Sequence, residues 1–187
     1  MQTEGSQMRH AKLAFAVAAF CALGLVAGTG TSTGLTAAEI GRAKARGEGT
    51  QVTGNSVAIR TFSFNAVTHS DGLVTGEAHV VNPAIGSDRH FALDCVNVFP
   101  GDNGSPIAVA SGVVTSAENP ALVGRPGIFA AQDNGEGTNE PLDRMTLGVQ
   151  VLVDPVACTG FATETALLSQ FPFGIVDIKS GNIQITS

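Results

Sequence analysis

Asp133, Glu136, Glu140 and Asp143 stand within eleven residues of one another, with Asn134 and Asn139 between them. Carboxylates and amide carbonyls crowded on a glycine-rich stretch are hard oxygen donors of the kind Ca²⁺ prefers. Asp133, Glu136 and Asp143 are the candidate ligands, and no other cofactor is indicated. The spacing matches neither an EF-hand loop nor the nonapeptide repeats that bind calcium. A competing reading makes the segment a solvated turn, with Asp133 capping its own backbone and Asp143 pairing with Arg144 or Arg125. Asp and Asn are ordinary turn residues, and that frequency favours the turn.

Other chemistry is sparser. His69, His79 and His90 sit in no HxH, HExxH or Cys/His pattern, so zinc has no local signature. His79 shares a strand face with Glu77, a pairing that reads as surface polarity before it reads as acid–base machinery. There is no GxSxG, no SxxK, and no papain-like flank around a cysteine. Asn103-Gly104-Ser105 matches a glycosylation sequon but reads first as a turn. With no Trp and no Tyr, the chain lacks the aromatic platforms used to stack sugars or bases.

Those residues need elements to hold them, and the composition points to strands. Glycine is abundant (23 residues), charge is sparse (14%), and β-branched residues recur in short runs between Gly, Asn, Asp and Pro. Val52–Thr68 reads as one long strand whose apolar phase changes near Arg60-Thr61, the mark of a bulge or of a crossing from one face to the other. A turn at Ser70-Asp71-Gly72 leads into Leu73–Val81. His90–Phe99 follows with Phe91, Leu93, Cys95 and Phe99 on one side. A turn at Gly101–Gly104 leads to Ile107–Thr115, and the proline-bearing stretch Ser116–Pro126 is a loop. Gly127–Asp154 reads as a hairpin whose second arm places Met145, Leu147, Val149, Val151 and Val153 on one face. Thr163–Ser169 is the one helical segment of the domain, and Phe173–Ile178 with Asn182–Thr186 forms a last hairpin. The fold class is all-β: an antiparallel meander of about eight or nine strands closing into a barrel or flattened sandwich, with the terminal strand beside the first.

Arg9 and Lys12 precede the apolar run Leu13–Val26, which ends in small residues. A basic start, an apolar run too short to span a bilayer and a small-residue exit read as a secretory signal peptide over 1–28. Cleavage after Gly28 is favoured over cleavage after Ala38. Residues 29–50 read as a flexible spacer in which Thr36 and Glu39 could cap a short helix over 37–46. The single β-domain spans 51–187. With Cys21 in the leader, Cys95 and Cys158 remain for an oxidising compartment, where a bridge between them is the expected state.

Charge excludes one class of partner. Up to Thr50 there are five Lys/Arg and three Asp/Glu, and from Gln51 there are five and thirteen, leaving the domain at 5 − 13 = −8. A phosphate backbone would be repelled, so nucleic acid is not a partner to expect.

Five segments carry a family resemblance: FSFNA (Phe62–Ala66), LDCVNV (Leu93–Val98), SGVVTSAENPALVG (Ser111–Gly124), QDNGEGTNEPLD (Gln132–Asp143) and SGNIQI (Ser180–Ile185). From Phe62 onward, over about two-thirds of its length, the chain resembles secreted bacterial proteins close to the post-COAP-type β-domains. It departs from them in a longer segment between Val153 and Phe171. The resemblance implies an exported all-β domain with a Cys95–Cys158 bridge, and it carries over no catalytic residue. The expected role is a non-catalytic binding or interaction module of the cell envelope or extracellular space. A carrier of a small apolar ligand inside the barrel is the alternative, with small residues such as Ala108, Ala110, Gly112, Ala130 and Gly148 leaving room. A hydrolase is a third reading; it would need His79 or His90 beside a carboxylate and a hydroxyl.

Overall fold

In the computed structural model the described residues are 43–53, 58–137, 139–171 and 174–187. The expected signal peptide, and the spacer as far as Arg42, lie outside them. Strand β1 (Lys44–Thr53) begins inside the stretch expected to be spacer and candidate helix. It shows no apolar period because two of its core-facing positions are glycines: a Cβ at Gly47 would meet the Phe64 ring at 2.8 Å. β2 (Ala58–Thr68) pairs antiparallel with β1 in one unbroken register from Lys44↔Val67 to Thr53↔Ala58. The expected long strand is therefore two. The apolar phase change is no bulge: Ile59 lies on the outward face, half exposed at 47%.

The meander continues through β3 (Val74–Asn82), β4 (Ser87–Pro100), β5 (Pro106–Ala117) and β6 (Pro126–Gln132). Turn chemistry sets the first hairpin: Asp71 accepts the Leu73 N–H, and Gly72 adopts φ +82°. The expected second arm of the central hairpin is broken into β7 (Arg144–Thr146) and β8 (Gln150–Val151). Gly148 turns the chain between them at φ +75°, and Val153 is left 80% exposed. Helix α1 (Glu164–Gln170) is capped by the Thr163 hydroxyl, which accepts the Ala166 N–H.

β9 (Ile175–Asp177) and β10 (Ser180–Thr186) do not form the expected hairpin. β9 joins β7, and β10 joins β1, giving the order β10-β1-β2-β3-β4-β5-β6-β7-β9 with β8 beside β6. The ten-stranded antiparallel sheet curls into a half-barrel, and Ile178-Lys179 crosses from one end of it to the other. Across that seam the Ile178 N–H donates to the Asp143 carbonyl and the Lys179 N–H to the Thr50 carbonyl. Buried Gln51 adds to the closure by donating to the carbonyls of Met145 and Thr146. The terminal strand does lie beside the first, but that first strand is β1. The residues of it that pair with β10, Lys44–Thr50, were expected to be spacer rather than part of a strand beginning at Val52.

Two cores lie on opposite faces of this sheet. The larger fills the inside of the curl with Phe62, Phe64, Phe91, Phe129, Met145 and Ile183 among others. The smaller packs Phe99, Ile107, Val109 and Ile128 against a cover made of Cys158, Phe161, Leu167 and Phe171. β5 and β6 are therefore buried on both faces over most of their length, which is why they read as continuous apolar runs. A register shift between Leu93 and Cys95 leaves Asp94 unpaired in β4. This bulge sends Phe91 and Leu93 to the inner core but Cys95 and Phe99 to the outer one, correcting the single face expected for all four. Cys95 can then reach the cover, where it is disulfide-bonded to Cys158 with the two Cα atoms 6.0 Å apart.

The curl depends on close strand approach at Gly112, which faces Leu93 on one neighbour and Gly127 on the other. A Cβ there would lie 1.9 Å from the Ala92 carbonyl oxygen, so the backbone itself would have to move. Gly112→Ala is expected to cost about 1–3 kcal/mol, the usual penalty for overpacking. Gly160→Ala, whose Cβ meets nothing within 4 Å, is expected to be neutral. Urea midpoints of the two variants check this; equal midpoints would refute the role given to Gly112.

Candidate functional site

The acidic loop folds back onto β10. One carboxylate oxygen of Asp133 accepts its own loop's Gly135 N–H at 2.9 Å, and the other accepts the Ile185 N–H at 2.9 Å. Asp143 is buried and divides its oxygens in the same way, between the Asn134 N–H at 2.9 Å and the Ile183 N–H at 2.7 Å. Glu136 accepts from the side chains of Asn182 and Gln184, and those two bonds hold its carboxyl below the usual range. The three candidate calcium ligands thus reach different points along one strand, and N–H donors bond both carboxylate oxygens of Asp133 and of Asp143 and one of Glu136. Asp133 caps its own backbone as the turn reading had it, whereas Asp143 takes backbone donors instead of an arginine.

β10 has its other edge on β1, so Ile183 and Ile185 would otherwise present bare N–H groups along an open sheet edge. The two aspartates cap that edge from the loop that follows β6. This is a structural use of carboxylates, and it explains why the acidic cluster sits where it does.

The cluster with converging donor atoms lies elsewhere. Strand alternation puts Arg46, Glu48, Ser63, Asn65, Glu77, His79 and His90 on the outward face of β1 to β4, opposite the inner core, where they line a groove of about 750 Å³. His79 and His90 are direct partners in the β3–β4 register, and their rings stack with centroids 3.9 Å apart and planes 11° from parallel. Asp88, two residues before His90, places Oδ1 2.8 Å from His79 Nε2 and 3.6 Å from His90 Nε2. Among the described residues this is the group of His, Cys and carboxylate side chains whose donor atoms all fall within 4.8 Å of one another. Glu77, offered earlier as the partner of His79, shares its groove but not its hydrogen bond. His69 lies apart, bonded to the Thr75 hydroxyl.

Asp88 is fixed by its surroundings. Its backbone N–H donates to Glu118, and Glu118 also receives the Arg89 guanidinium at 2.8 Å. The hydrogen bond from Arg89 is the main reason the Glu118 carboxyl is lowered to about 2. A carboxyl depressed in the folded state stabilises above its unfolded value, and that contribution disappears as pH falls toward 2. Glu118→Gln is therefore expected to be less stable than the parent at neutral pH and equal to it near pH 2. Urea midpoints at a series of pH values test this, and a difference that persists at pH 2 would assign the loss to something other than charge.

Sequence reading missed Asp88 because its place depends on strand register. The connection between β3 and β4 is short, and only their pairing residue by residue sets His79 against His90. No protein-family model matches the chain, and no curated protein or solved structure is significantly similar to it.

Proposed function

We propose that the protein is an exported, non-catalytic β-domain that serves as a binding or interaction module at the cell envelope or outside the cell. Its working surface in this reading is the outward polar face of β10, β1, β2, β3 and β4. The observation that carries the proposal is the polar groove on that face, set against an interior filled by phenylalanine side chains. The small residues that a lumen carrier would need as free space are packed instead: Ala108 and Ala110 belong to the cluster around Phe129, and Ala130 lies under the disulfide-held cover. No helix among the described residues is long and apolar enough to cross a membrane. A disulfide fits an oxidising compartment.

The hydrolase reading keeps one supporting observation, the His79–Asp88 bond with Ser63 opposite His79 in the β2–β3 register. Among the described residues, however, no hydroxyl is hydrogen-bonded to either imidazole, so the nucleophile is unactivated. The test uses the full chain expressed in a bacterial host, with fractionation followed by co-sedimentation on washed cell envelopes. Export, and retention that is lost in an Arg46→Glu/Glu77→Lys double variant, are the expected results. A chain that stays in the cytoplasm, or retention unchanged in that variant, would overturn the proposal. Hydrolysis of nitrophenyl esters abolished by His79→Ala would replace it with the enzyme.

A further inference from the structure

We propose that His79, Asp88 and His90 form a binding site for one divalent transition-metal ion of the zinc type. The site is distinct from the acidic loop and stands whether or not the groove binds a macromolecule. Four observations support it.

The first is spacing. With bonds of about 2.0–2.2 Å, neighbouring donor atoms lie about 2.8–3.1 Å apart in an octahedral site and about 3.3–3.6 Å apart in a tetrahedral one. The two histidine-to-carboxylate separations, 2.8 and 3.6 Å, lie at the two ends of that span, and all three donor atoms fall within 4.8 Å of one another. The second is donor chemistry. Two imidazole nitrogens and one carboxylate oxygen suit Zn²⁺, Co²⁺, Ni²⁺ or Cu²⁺, whereas Ca²⁺ and Mg²⁺ call for oxygen alone.

The third is pre-organisation. Both histidines come from the paired strands β3 and β4 in direct register, so their rings stand side by side on one face of the sheet, and a tilt of the two rings out of their near-parallel stack turns both lone pairs toward one ion. Among the described residues neither imidazole has a hydrogen-bond partner apart from Asp88, so an ion displaces one exposed hydrogen bond and opens the ring stack. The fourth is local charge. Arg89, the cation adjacent in sequence, is engaged by Glu118, and the charged residues that line the groove beside the histidines are Glu77 and Glu48 with one cation, Arg46. His79, Asp88 and His90 are all substantially exposed, at 38%, 60% and 50% of their side-chain surface. Three protein donors on an exposed strand face leave at least one coordination position open to water or to a ligand lying in the groove.

The test is competition for Zn²⁺ between the untagged full-length protein and a chromogenic chelator, with the visible spectrum of the Co²⁺ form as a second readout. One ion per chain is expected, with cobalt absorption typical of nitrogen and oxygen coordination. His79→Ala and His90→Ala should each weaken binding by more than the roughly 10–100-fold seen when a residue that only supports a ligand is removed. Asp88→Asn should weaken it and alter the cobalt spectrum. A His10→Ala/His69→Ala variant, which removes the remaining two histidines, should bind as the parent does. All three ligand positions are on the surface, and circular dichroism confirms that each variant is folded before titration. Failure of the parent to take zinc from a weak chelator would overturn the proposal. So would undiminished binding by both His79→Ala and His90→Ala.

Discussion

Asp143→Ala is expected to lower the stability of the domain by about 3 kcal/mol or more. The carboxylate is buried and serves two backbone N–H groups, those of Asn134 and Ile183. Hydrogen bonds to a charged acceptor contribute about 1.5–3 kcal/mol each, and removing the acceptor strands both donors. For a domain of this size the melting temperature should fall by about 6–12 °C. Asp143→Asn should recover little, since its amide NH₂ would face one of the same donors. Glu140→Ala, at an exposed position of the same loop, should change stability by less than about 0.5 kcal/mol. Thermal melts of the three variants decide the matter. Millimolar Ca²⁺ should leave the parent melt unmoved, because N–H groups hold the carboxylate oxygens; a clear rise would show that the loop serves a cation after all.

Breaking the Cys95–Cys158 bond should have a comparable effect by a different route. The bond closes a loop with a sequence separation of 63, for which chain entropy gives about 4 kcal/mol. Its loss should act first on the cover, because Phe161, Leu167 and Phe171 approach the sheet through one patch beside that bond. We expect a Cys95→Ala/Cys158→Ala variant to melt at least 8 °C lower than the parent, with amide exchange accelerated in 158–171 before it is in β1 to β4. Equal melting temperatures for the parent and the double variant would show that the cover is held by packing alone.

Much of this fold was legible from residue patterns. The hairpins at Ser70–Gly72 and Gly101–Gly104 are there because Asp, Asn and Gly dictate those turns, and α1 begins at the Thr163 cap that its sequence announces. Three features escaped for physical reasons. β1 faces the core with Ala45, Gly47 and Gly49, small residues chosen because Phe62 and Phe64 occupy the space above them, so it lacks an apolar signature. The bulge at Asp94 is hidden because apolar residues continue on both faces beyond it. The break at Gly148 is hidden because apolar alternation persists through a turn that only a glycine reveals. The proposed metal cluster was half visible: both histidines stood out singly, but the contacts of His79 with His90 and Asp88 exist only across strands. The acidic loop was found, and the structure gives it the work of capping a strand edge.

The seam between β10 and the rest of the sheet bears on timing. Arg46 of β1 meets Gln184 of β10 across 138 positions of chain. β1 is among the first strands to be made, yet its outer edge stays unpaired until the chain has been produced as far as Thr186. Contacts so distant in sequence slow folding, since the loop must close before any pairing rewards it. Under the export proposed above, this delay would keep the sheet from completing itself early and leave the polypeptide in a state that a translocation channel accepts. The same feature makes the unfinished edge of β1 the point at which two copies would pair wrongly if folding began in a crowded compartment.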